Sequence, residues 1–437
     1  MAVRKPVLAL YQAVAATDHH DVQVGEAAKS GSGTATIPTG VFKSVFANLV
    51  KSIAGAGVLS LPYGVAAFGN APSALIPAIG VIMLMGAASA YTFGLIGRVC
   101  QCTDTNSYAA AWDVAVGRKS SWIVAFSCFI DCFSGNLFYS MILADTSVDL
   151  LASVGVTVTR TQSLLYVTNL VLAPLCFLKN LSSLAPFSLV GIIGMLYTTL
   201  AMGLRYFQGS YAPGGEYFSS QLTEPVFGVD GASAAFSPKA LILTCMLSNA
   251  YIAHFSAPLY WSDLRDNTME RFHQMIGYSF TAVVVIYSLV TTAGFLTFGA
   301  ASNGFILNNY STNDTIASLS RFAVAISIIF SYPLIFVGTR DGLMDLFRVE
   351  EAKRNTKLIN KLTVTLMLLV TALASQLTDL GVVASIGGAT FGTALVFVYP
   401  AVMFLKTQTK RTKETVPVFF IGVLGVVVGV IGTTMCF

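Results

Sequence analysis

Residues Phe46–Gly64 read FANLVKSIAGAGVLSLPYG, an apolar run with Gly55 and Gly57 at its middle and Pro62 near its end. A helix needs about 20 mostly apolar residues to cross a bilayer, and each glycine disfavours helix by roughly 1 kcal/mol relative to alanine. The stretch therefore predicts a membrane span that unwinds half-way. A second run, LSNAYIAHFSAPLYW from Leu247 to Trp261, sets Ser248, Asn249, His254 and Pro258 in the middle of another span. Backbone unwound in lipid frees N–H and C=O groups that only protein, water or a ligand can satisfy. Two spans interrupted at corresponding places in two halves of a chain point to a solute site near the bilayer midplane.

The rest of the chain agrees with a lipid setting. Of 437 residues, 55% are hydrophobic and 11% are Asp, Glu, Lys or Arg, against about 25% charged in a soluble protein. The mean hydropathy is +0.72. A soluble enzyme, a secreted disulfide scaffold and a disordered regulator are excluded. The net charge of +4 gives no reason to expect a nucleic-acid partner. The seven cysteines lack the paired spacing of a zinc site. No phosphate loop, no nucleophile with its base and no metal cluster is legible; neither an enzyme nor an ATP-driven pump is expected, and no cofactor.

Eleven segments are long and apolar enough to span: 41–68, 73–97, 121–144, 163–178, 183–204, 239–262, 273–298, 316–337, 361–378, 380–405 and 416–436. The expectation is an all-α polytopic membrane protein of eleven transmembrane helices, arranged 5+5 with one extra. Residues 1–40 form a flexible cytoplasmic tail, whose Val7–Ala16 run is broken by Tyr11 and Gln12 and is not read as a cleaved signal. Residues 41–204 are the first repeat, 205–238 an extracellular or lumenal loop, 239–405 the second repeat, and 406–437 a basic loop with span eleven. With the tail inside, twenty of the 25 Lys and Arg residues fall on the cytoplasmic side. Arg160, Arg205, Lys239 and Arg321 fall outside, and Lys51 lies within span one. That bias fixes a cytoplasmic N-terminus and an outside or lumenal C-terminus. Two glycosylation sequons, at Asn309 and Asn313, share the outside loop between spans seven and eight, and a third at Asn180 lies inside. Residues 106–117 read as a short helix at the cytoplasmic interface.

The pattern Asn48…Gly55-Ala56-Gly57-Val58-Leu59…Leu61-Pro62, with His254 and Ser262-Asp263-Leu264-Arg265-Asp266 at the end of span six, resembles the amino acid/auxin permease family over about residues 41–436. The resemblance implies a LeuT-like inverted repeat and secondary transport of amino acids coupled to protons or sodium, in a plasma, vacuolar or lysosomal membrane. Many members carry Asn where this sequence has Lys51, near the place where sodium-coupled relatives of the fold hold their cation.

A zwitterion needs opposite charges satisfied a few ångströms apart without water. The amides of Gly55, Ala56 and Gly57, at the positive end of a half-helix, suit its carboxylate, and the freed carbonyls of Ala250, Tyr251 and Ile252 suit its ammonium. A bulky side chain at Gly57 is expected to block uptake. Asn136 and Tyr139, beyond Gly135, are further lining candidates. Ionisable groups inside a membrane are functional candidates. Lys51 and Asp131 each sit ten residues into outward-running spans, roughly 15 Å deep, at matching depth for an ion pair. A fixed ammonium at Lys51 can replace sodium and leave protons as the coupling ion. Alternatively, Ser327 and Ser331, four apart on span eight, join a carbonyl of span one in a sodium cage. His254 either carries the proton or satisfies the broken helix. A nutrient-sensing receptor is the rival class; it would bind an amino acid without flux.

Overall fold

The structure is a computed structural model that describes residues 39–178, 187–218, 227–264, 268–349, 353–408 and 412–435. The tail over residues 1–38, the Asn180 sequon and the Arg265-Asp266 pair lie outside the described residues. Every regular element among the described residues is helical. Among the described residues ten helices are long and apolar enough to cross a membrane. Where the fourth span is expected lies a continuous helical run, Arg160–Val167, Thr168–Leu172 and Ala173–Cys176, which falls short of 18 residues and is not one of the ten. Its middle is a π turn, and Pro174 follows where the ladder must lose an N–H anyway.

Span one is Thr39–Ile53, a bend, the 3-10 turn Ala56–Ser60 and the helix Leu61–Ala66. Span six is Ala240–Ala250, an irregular stretch, the turn His254–Ser256 and Ala257–Asp263. The first half of span six packs on the second half of span one, and the second half of six on the first half of one. The two spans therefore run antiparallel with their breaks side by side. Span three (Ser121–Ser153) lies along span eight (Thr315–Leu346), which also carries span five (Phe187–Phe207). Span two (Leu75–Thr103) packs on span seven (Met269–Phe298). Span nine is Thr356–Gln376 and span eleven Thr415–Met435. Span ten runs from Leu380 to Thr407 through two π turns, Gly388–Gly392 and Ala394–Val398. Leu84, Leu200, Leu368 and Val430 point outward as lipid-facing side chains do. The interfacial segment is the helix Tyr108–Trp112, capped by the Ser107 hydroxyl.

Of the arginines expected outside, Arg321 and Arg205 bond the loop between spans seven and eight, and Arg160 ties span three to span nine. Arg321, 1% exposed, donates from Nη2 to the carbonyls of Leu307 (2.8 Å) and Tyr310 (2.5 Å), and its Nε lies 3.0 Å from Asp149. Arg160 pairs with Asp145 at 2.6 Å and reaches Ala374 O on span nine at 2.8 Å. Arg205 grips Asp314 through two bonds of 2.9 and 2.7 Å. These pairs explain why span three continues past its expected end at residue 144. Asp145 and Asp149 extend the helix because a partner neutralises each of them. The loop buries Phe305, Ile306 and Leu307 and covers the Ala56–Ser60 turn.

Asp314 also accepts from the amides of Ile316 and Ala317, capping span eight, and from the Tyr211 hydroxyl at 2.9 Å. Burial opposes its charge, but Arg205, Tyr211 and the Ala317 amide together hold the carboxyl below the usual range. A carboxyl depressed on folding stabilises fully above its unfolded value of about 3.9 and loses that contribution as pH falls through the folded one. Asp314→Asn keeps the cap and deletes the charge. We expect it to lower stability by about 3 kcal/mol at neutral pH, seen as a lower melting temperature in detergent. The gap to the parent should close in strong acid.

Candidate functional site

Helix propensity fails at the first break because Ala54 and Gly55 turn out of the helix. The Gly55 amide folds back onto Ile53 O at 2.8 Å, and Val58 N reaches Gly55 O at 3.4 Å. Ala56 and Gly57 then begin a 3-10 turn, where the first amides have no intrahelical acceptor. Among the described residues neither amide has a backbone partner. Of the three amides expected to meet a carboxylate, Gly55 is occupied, and Ala56 and Gly57 are open. Gly55 has φ −88° and ψ −174°, ordinary extended backbone, so its lack of a side chain matters for space alone. A Cβ there would stand 3.4 Å from the Tyr139 hydroxyl, whereas one at Gly57 would face Ala250 Cα at 3.9 Å.

Gly55 and Ala56, but not Gly57, border a cavity of about 40 Å³, room for about three waters. Span one contributes Lys51, Gly55 and Ala56, span three Tyr139, span five Gly191 and Met195, and span eight Ser327 and Ser331. The Lys51 stem and the Ser327 hydroxyl converge on Gly191. A Cβ built there lies 3.4 Å from Lys51 Cε and 2.6 Å from Ser327 Oγ. Lys51, Ser327 and Ser331 thus share one space between spans one, five and eight. No Asp or Glu lines the cavity.

Other expected residues lie elsewhere. Asp131 is 9% exposed on span three and forms no ion pair with Lys51; equal depth does not fix the direction a side chain takes, and the Lys51 stem lies against Gly191 of span five. Asn136 donates to Thr339 Oγ1 (2.8 Å) and Cys132 O (3.0 Å), tying span three to span eight, while Tyr139 one turn on takes the lining position. His254, fully buried, sets Nε2 3.1 Å from Ser89 O and 3.0 Å from Thr92 Oγ1. A carbonyl only accepts, so Nε2 carries a proton toward Ser89 O, and Nδ1 has no hydrogen-bond partner among the described residues. The histidine joins the second break to span two and does not line the cavity. The Ala250 carbonyl, expected to hold an ammonium, instead accepts from the Tyr287 hydroxyl at 2.6 Å. Tyr251 turns its own hydroxyl to Ile82 O at 3.1 Å. The backbone carbonyls of Tyr251 and Ile252 accept no backbone hydrogen bond among the described residues.

The sequence pattern described as "Transmembrane amino acid transporter protein" matches residues 38–437. The chain belongs to that family. A Danio rerio protein named "Putative sodium-coupled neutral amino acid transporter 11" is 24% identical, covering 94% of this chain and 88% of its own. Vacuolar amino acid transporter 2 of Saccharomyces cerevisiae is 21% identical, over 90% of this chain and 82% of its own. Among solved structures, that of MhsT in complex with L-phenylalanine superposes with a TM-score of 0.55 at 12% identity, covering 90% of this chain and 98% of that one. The transporter therefore has the LeuT-like fold and is an integral membrane protein of an amino acid transporter family. Tyr287 and Gly191 were not legible in its sequence. Tyr287 touches spans one and six and Gly191 spans one and eight, contacts that no local pattern announces.

Proposed function

We propose that the transporter carries small neutral amino acids by alternating access with protons as the coupling ion. Spans one to five and six to ten act as the two repeats, with span eleven outside them. The N-terminus is cytoplasmic and the C-terminus outside or lumenal, in a plasma, vacuolar or lysosomal membrane. One observation carries the coupling: the Lys51 stem enters the space where Ser327 and Ser331 offer oxygens. Two unit charges about 4 Å apart repel by about 4 kcal/mol at an effective dielectric of about 20, so an ammonium there opposes a sodium ion. Lys51 then supplies the positive charge and carries the proton. The substrate carboxylate takes the Ala56 and Gly57 amides, and its ammonium the carbonyls of Tyr251 and Ile252.

The serine pair in the same cavity favours a second reading, sodium coupling, which is also in the name of the Danio rerio relative. Uptake into proteoliposomes with an inward proton gradient and no sodium decides between them. Full accumulation supports the proton; a requirement for sodium overturns it. Binding without any flux would instead identify a receptor.

The two outside sequons differ in their side chains. The Asn309 amide nitrogen donates to Ala301 O at 2.9 Å and its oxygen accepts from Asn303 N at 2.7 Å, whereas Asn313 is exposed. On the proposed orientation, Asn313→Gln should remove a glycan-dependent gel shift in a eukaryotic host and Asn309→Gln should leave it. The reverse result would count against this assignment.

A further inference from the structure

The two breaks meet at one phenol. Tyr287, fully buried on span seven, directs its hydroxyl to Ile53 O at 2.9 Å and to Ala250 O at 2.6 Å. Ile53 is the last residue of the first half of span one, and Ala250 the last of the first half of span six. Because the spans are antiparallel, these half-helices enter from opposite faces and end beside the same oxygen. Each ends with carbonyls that have lost their intrahelical donors. A hydroxyl has a single proton, so it can donate fully to one carbonyl at a time. The acceptors are unequal. Ile53 O also receives the Gly55 amide at 2.8 Å, while Ala250 O has no other donor among the described residues. The ring is fixed from the side by Tyr251, with centroids 4.8 Å apart, and Tyr251 in turn is hydrogen-bonded to span two.

We propose that Tyr287 is a positioning residue for the transport cycle: its one proton, shared between the ends of two half-helices from opposite faces, transmits rearrangement of either break to the other. When the first half of span one moves away, the proton commits to Ala250 O and holds the span-six break in its closed form. When the span-six half-helix moves, the bond to Ile53 O does the same for span one. The two breaks then cannot loosen together, the condition under which a carrier leaks. This role of Tyr287 rests on amino acid transport alone and holds for either coupling ion.

Tyr287→Phe removes the proton and keeps the ring packing. The test is hydrogen–deuterium exchange on the full-length reconstituted protein, with an equimolar mixture of the twenty common amino acids as the probe, alongside uptake of the same mixture. In the parent, the mixture should slow exchange over both residues 54–60 and residues 251–256. In the variant, slowing should persist in one segment and be lost from the other, and uptake should fall about tenfold, the 1.4 kcal/mol scale of one hydrogen bond. If both segments remain protected together and uptake is unchanged, the proposal is wrong, even where the melting temperature drops. If the parent shows no protection and no uptake, the transport reading itself fails, a result distinct from the one that overturns the role of Tyr287.

Discussion

Lys51→Met should abolish proton-driven accumulation of amino acids while the protein remains folded in the membrane. Methionine keeps an unbranched apolar stem of similar reach against Gly191 and removes the ammonium alone. The charge is worth about 4 kcal/mol to a second unit charge at about 4 Å, and a third of that already corresponds to tenfold. We expect uptake against a gradient to fall at least about tenfold in proteoliposomes, with equilibrative exchange less affected because the amides of Ala56 and Gly57 are intact. Lys51→Asn is the companion. It replaces the ammonium with a neutral amide and frees the oxygens of Ser327 and Ser331, so sodium should now stimulate uptake. Parental proton-driven uptake by the methionine variant would remove Lys51 from the coupling step.

How far the sequence led depended on whether a signal was local. The breaks were legible because Gly55-Ala56-Gly57 and the polar middle of span six violate the pattern of their own spans. Lys51 was legible because a lone charge in an apolar run has no bland neighbour to hide it. The end of span three was misread because Asp145 and Asp149 look like loop residues. The positions of Arg160, on the next helix, and of Arg321, far along the chain, neutralise them within the helix. Asn136 and Tyr139 lie one turn apart, and sequence spacing alone does not decide which meets the cavity and which meets Thr339. Tyr287 is one of 17 tyrosines, and its two acceptors lie 234 and 37 residues away. Nothing in its own helix marks it.

The space beside Gly55 allows a graded test of the site. Its backbone is extended, so alanine, valine and leucine are all tolerated by the chain itself and differ only in how much room they take. Alanine would place its Cβ 3.4 Å from the Tyr139 hydroxyl, an ordinary contact, and should retain uptake within about threefold, since less than 1 kcal/mol is at stake. Leucine adds three more carbons to a cavity with room for about three waters. It should abolish uptake with the melting temperature nearly unchanged, because the volume it fills is otherwise occupied by solute or solvent. Gly57→Ala is the control: its Cβ meets Ala250 Cα at 3.9 Å, outside the cavity lining, so uptake should survive. Saturable uptake by Gly55→Leu at the parental rate would move the solute path away from this cavity. Loss of uptake on Gly57→Ala with retention in Gly55→Leu would instead place the critical approach between the two broken spans themselves.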